Sequence, residues 1–144
     1  MKIKTLITLI FVTLTFANVM AQKTTDLVGE WTGTDIDNNK SNMIFTADGF
    51  VSLTINNEIF GGENFTLKGQ KADLKYEVDS AKNPIWLDFV GYASGEKIEK
   101  GRLKGIIRFI DNDNADILLN FSNVRFENFT EENKKLTIRI NRKK

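Results

Sequence analysis

The side chains that most often do chemistry at neutral pH are missing from this chain. Among its 144 residues there is no histidine and no cysteine. That removes the imidazole base, the imidazole metal ligand, the thiolate nucleophile and the thiolate zinc ligand. Carboxylates remain. "DNDNAD" (111–116) sets Asp111 and Asp113 at the first and third positions of a calcium loop. Ala115 then stands at the fifth, Asp116 where glycine is required, and Ser122 where the closing glutamate belongs. A hairpin turn rich in Asp and Asn fits better. "TDIDNN" (34–39) puts Asp35 and Asp37 on one face of a strand end, where a solvated loop is the better reading. In "GYASG" (91–95) Ser94 comes one place late for a nucleophile elbow and has no histidine to activate it. Asp88 interrupts the apolar run "IWLDFV". It must either face solvent beside Trp86 or pair with an arginine such as Arg108 or Arg125, because an unpaired buried carboxylate is costly. No acid–base–nucleophile set emerges, so no enzyme, metal or cofactor is expected.

The elements that carry these residues read as strands. Leu27–Ile36, Asn42–Thr46, Phe50–Ile55, a short strand before the Gly69 turn, Ala72–Asp79, "IWLDFVGY", "GRLKGIIRFI", "ILLNF" and "KLTIRI" follow one another with turn residues between. Val124 to Phe126 adds a candidate short strand, and only "TEENKK" could form a turn of helix. About eight strands without crossover helices imply an all-β antiparallel sandwich or barrel. Alternation buries one face, with Val51, Leu53 and Ile55, or Ile117, Leu119 and Phe121, on the same side. Closure into an up-and-down barrel would remove the exposed edges.

Residues 1–21 read as a secretory signal peptide, leaving 22–144 as one β-barrel domain. Lys2 and Lys4 precede an apolar run from Leu6 to Ala17, and Val19 and Ala21 suit cleavage before Gln22. The run is too short for a membrane span, and no cysteine follows it for lipid attachment. A periplasmic or secreted, non-lipoprotein location follows, with no membrane span in the mature chain. The stretch 22–132 carries 12 basic and 19 acidic residues. That acidity argues against nucleic acid as a partner, although the chain ends in a cluster of lysines and arginines.

Trp31 stands between Gly29 and Gly33 on one face of the first strand. Small neighbours would let the indole lie flat across a barrel end, where a cation from the last strand could stack on it. Arg139 is the candidate. "LVGEW" at the head of such a chain resembles the first-strand motif of lipocalins. The order Leu27, Gly29, Trp31, then Pro84, Leu87, Asp88, then Gly105, Ile106 is similar to that of small secreted bacterial lipocalin-like domains. Ile107 stands where that group has tyrosine, and Phe126 follows Arg125 where it tends to have proline. The resemblance implies an eight-stranded barrel whose floor is built by Gly29, Trp31 and Arg139. It also implies a binding module for a small hydrophobic or amphipathic ligand. Phe45, Leu53, Tyr76, Leu87, Ile107 and Leu119 are the candidate lining residues. The rival reading is a cell-envelope scaffold with a filled barrel and a protein partner.

N-terminal sequencing of the exported protein should begin at Gln22. An intact Met1 in the mature protein would contradict the cleavage site.

Overall fold

Period-two alternation predicts sheets with one buried face, and the computed structural model closes that sheet on itself. It describes residues 26–34 and 38–144; the signal segment 1–21 and the pair Asp35 and Asp37 lie outside the described residues. The strands are β1 (Gly29–Thr34), β2 (Lys40–Phe45), β3 (Val51–Ile55), β4 (Glu58–Leu67), β5 (Gln70–Asp79), β6 (Ile85–Ala93), β7 (Glu99–Phe109), β8 (Asn114–Asn120) and β9 (Ile138–Arg142). They form one closed barrel in chain order, and β9 pairs antiparallel with β1. The count is nine against the expected about eight, and β4, read from sequence as a short strand before Gly69, begins at Glu58. Val124 to Phe126 is not a strand; it belongs to the long β8–β9 connection. "TEENKK" contributes only to turns and a short 3-10 segment, Lys134–Leu136.

Every seam of the ring is antiparallel. An odd number of straight strands cannot alternate all the way round, so one strand must reverse. That strand is β4. Its residues 58–61 pair with β3, and from Gly62 onward it pairs with β5. Gly61 and Gly62 take φ of +95° and +85°, a conformation open to glycine alone at little cost. A Cβ on Gly61 would also sit 2.6 Å from the Val51 carbonyl oxygen and 2.7 Å from Leu74. Below this corner β3 and β5 meet directly through an antiparallel bridge, Phe50 to Lys75. β4 therefore opens as a V. One end of the barrel carries the β1–β2, β3–β4, β4–β5, β6–β7 and β8–β9 connections. The other carries the start of β1, the end of β9, and the remaining turns.

That second end is the floor. Trp31 is fully buried, and its indole N–H donates to the Leu27 carbonyl at 2.8 Å. Arg142, not the expected Arg139, lies over the indole, with its guanidinium carbon 4.2 Å from the ring centroid. Register explains the correction. Arg142 is opposite Trp31 and shares the inward face with Ile140, whereas Arg139 falls on the outward face. Arg142 donates to the carbonyls of Val28 (2.9 Å), Asp26 (2.6 Å) and Asn112 (3.2 Å), tying the floor together. Gly29 is required here, at φ +133°, with a Cβ position 3.0 Å from the Arg142 guanidinium. "DNDNAD" is the β7–β8 turn, in which Asp111 accepts from the Asp113 amide and the Asn114 side chain, each at 2.8 Å. Above the floor, Phe45, Phe89, Leu87, Ile107, Ile117 and Ile140 fill the lower barrel.

Trp31→Ala should destabilise the fold by about 3–5 kcal/mol through the void it leaves. Arg142→Ala should cost about 2–4 kcal/mol, since three carbonyls lose a charged donor, and Arg139→Ala markedly less. Urea denaturation of the three variants checks this order. Equal losses for Arg142→Ala and Arg139→Ala would refute the floor assignment.

Candidate functional site

Above the packed floor the barrel interior is not filled. A cavity of about 640 Å³ lies at the mouth end between β4, β5, β6 and β7. Its apolar walls include Phe65, Leu74, Phe89 and Leu103. Space arises because the next inward positions are small. Across the β5–β6 seam Ala72 faces Ala93 and Leu74 faces Gly91, and across the β6–β7 seam Gly91 faces Gly101. Gly101 has nothing within 4 Å of where a Cβ would stand. Gly105, two turns of the pleat lower on the same strand face, is different: its Cβ would be 2.6 Å from Leu119 and 2.7 Å from the Leu87 carbonyl oxygen. Glycine at 105 makes room for neighbours, whereas glycine at 101 is exposed and leaves the rim of the mouth open.

The mouth is held open by a buried carboxylate. Asp73, on the outward face of β5, accepts from the amides of Asn64 (2.7 Å) and Gly95 (3.2 Å) and from the Ser94 hydroxyl (3.2 Å). It thus joins the β4 bulge to the β6–β7 connection, and Ser94 has a structural role. Burial opposes its charge, but the donors outweigh that and hold its carboxyl below the ordinary carboxylate value.

The residues expected to line a pocket lie elsewhere. Phe45, Tyr76, Leu87 and Ile107 are buried in the lower core, and Leu53 packs against it. The Tyr76 hydroxyl is used internally, donating to the Thr46 carbonyl at 2.8 Å. Leu119 borders a separate hollow of about 470 Å³ beside Phe126 and Ile138. The sequence signal for the true void was the run of small residues at inward positions of β6 and β7, visible once register is known.

Two further carboxylates sit on the outer wall. Asp88 is buried and accepts from Arg125 at 2.5 and 2.9 Å, from Arg102 at 2.9 Å and from the Gly105 amide at 3.3 Å. Of the two partners expected for it, Arg125 is correct. Arg125 also stacks on Trp86, 4.0 Å from its centroid, and pins the β8–β9 connection across the outer face. Beneath that connection Ile106 and Leu118 are fully buried although they point away from the interior. Arg108 instead pairs with Asp116 at 2.7 Å, and Arg139 completes that cluster. Burial pushes both carboxyls up, yet the arginines prevail and hold them low. Both clusters are saturated ion pairs that fasten strands together. Among the described residues no three carboxylates gather as a metal site, and no helix is long and apolar enough to cross a membrane.

Compared with known proteins, the chain matches no protein-family model, no curated protein and no solved structure.

The depressed carboxyls fix a pH dependence. Their folded values lie below the unfolded value of about 3.9, so their stabilisation is complete above that pH and lost as pH falls through the folded values. With no histidine to titrate, the urea midpoint should stay level from about pH 5.5 to 8 and drop below about pH 4. Asp88→Ala should cost about 3 kcal/mol at neutral pH by stranding Arg125, and should show a shallower acid limb. A midpoint unchanged down to pH 3 would contradict this assignment.

Proposed function

We propose that this chain is a lipocalin-like binding protein, exported to the periplasm or beyond, that holds a small hydrophobic or amphipathic molecule at the barrel mouth. It acts as a carrier, without catalysis, metal or cofactor. The reading draws on the "LVGEW" motif, on the Trp31–Arg142 floor, and on a closed antiparallel barrel. The observation that carries it is a solvent-open hollow at the mouth, walled by Phe65, Leu74, Phe89 and Leu103, with the exposed Gly101 on its rim. A volume of about 640 Å³ is in the range of small-molecule sites. The rival scaffold reading expects a barrel filled throughout, and the hollow at the mouth favours the carrier.

Affinity should come from apolar area, at about 25 cal/mol for each Å² removed from water. Specificity is expected to be loose, because the walls offer few inward polar groups. A fluorescent fatty acid titrated into the protein should bind saturably with one site. Gly101→Leu should obstruct the mouth, weaken that binding and leave the protein folded, because its Cβ meets no neighbour. Absence of saturable binding by the wild type, or unchanged binding by a folded Gly101→Leu variant, would sink the carrier reading.

A further inference from the structure

The rim of the mouth is unlike the rest of the surface. The β4–β5 hairpin is a two-residue turn, Lys68 and Gly69, between the paired residues Leu67 and Gln70. Positive φ at both turn residues (+49° and +79°) sets Lys68 at its apex. Beside it runs the β6–β7 connection, joined to it by the Ser94 amide donating to the Lys71 carbonyl at 3.0 Å. Each of these tips presents an apolar side chain to solvent: Leu67 is 41% exposed and Ile98 is 68% exposed. The β3–β4 hairpin adds Ile59 (74%) and the β8–β9 connection Phe121 (83%) at the same end. Exposed branched aliphatics on several neighbouring tips are not explained by the fold.

Charge accompanies them. Lys68 and Lys71 flank Leu67, and Lys97 and Lys100 flank Ile98; all four are exposed. Of the carboxylates within the β6–β7 connection, Glu99 is held by Arg102 at 2.8 Å and Glu96 reaches only Lys100, at 3.4 Å. Together the two tips set Lys68, Lys71, Lys97 and Lys100 against Glu96 and Glu99, a net positive charge that comes from the β4–β5 hairpin, within a body that is net acidic. Leu67, Lys71 and Lys100 also border the cavity itself, so the apolar tips and the binding space are continuous.

We propose that the mouth end docks on an anionic lipid bilayer, with Leu67 and Ile98 entering the interfacial layer and Lys68, Lys71, Lys97 and Lys100 contacting phosphate headgroups. Apolar side chains ringed by lysines are the combination that binds such a surface, each part contributing independently. Docking in this orientation turns the cavity toward the membrane, so that an amphipathic molecule could pass between bilayer and barrel without crossing water. In that purpose the proposal rests on the carrier reading; in its geometry it rests on the tips alone.

Sedimentation with vesicles of phosphatidylglycerol and phosphatidylcholine, against vesicles of phosphatidylcholine alone, tests it. The wild type should bind the anionic vesicles, bind the neutral ones weakly, and release as salt rises. Each lysine near the surface contributes roughly five-fold in affinity, so Lys68→Gln with Lys97→Gln should lower binding about twenty-five-fold. Leu67→Asn with Ile98→Asn should also release the protein, while circular dichroism shows both double variants folded. Lys82→Gln, at the floor end, should bind as the wild type does. Gly101→Leu should keep vesicle binding while holding the fluorescent fatty acid more weakly, which separates the two readings. A wild type that takes up the probe but ignores anionic vesicles, or tip variants that bind vesicles undiminished, would overturn docking and leave the carrier reading intact. A partner protein in place of a bilayer would give that same failure to bind vesicles.

Discussion

Nine strands that pair antiparallel at every seam cannot stand side by side as simple staves, and the whole molecule is arranged around the reversal this demands. Parity requires one strand to change direction, and β4 does so at Gly61 and Gly62. Only a residue without a side chain fits there, since both the backbone angle and the contacts with Val51 and Leu74 exclude a Cβ on Gly61. The corner splays β4 away from the barrel axis at one end and lets β3 and β5 meet at the other. An open mouth and a tight floor are thus two consequences of one constraint.

The two halves then divide the work. The floor is stabilised by apolar burial and by Arg142, whose charge is spread over three carbonyls and the face of Trp31. Such a plug holds β1 against β9, and without it the ring would have two edges. The mouth is stabilised differently, by polar fastenings on the outside. Asp73 ties a bulge to a loop there, while Asp88 and Asp116, outside the lower barrel, lock neighbouring strands and the long connection with arginines.

Much of this was legible in the residues. Alternation identified the strands, the absence of crossover helices identified an antiparallel sheet, and Trp31 between two glycines pointed to a barrel floor. Asp88 inside an apolar run identified its own need for an arginine, and Arg125 meets it. Register was not legible, and the misplaced assignments share that cause. Arg139 and Arg142 differ by an odd number of residues and so by face, which only the β1–β9 pairing decides. The proposed lining residues were chosen as large and inward. Large inward residues fill space, whereas a cavity is marked by the small ones beside them. The first half of β4, from Glu58 to the reversal at Gly61 and Gly62, escaped the sequence reading because the reversal and the bulge beyond it break the strand period.

A methyl-resolved NMR titration with a medium-chain fatty acid tests the central claim most directly, because alanine, leucine and isoleucine methyls report from both halves of the barrel. The account predicts saturable shifts at Ala72, Leu74, Ala93 and Leu103 around the cavity, with Leu87, Ile107, Ile117 and Ile140 near the floor unmoved. Shifts centred on the floor residues, or none anywhere, would contradict it.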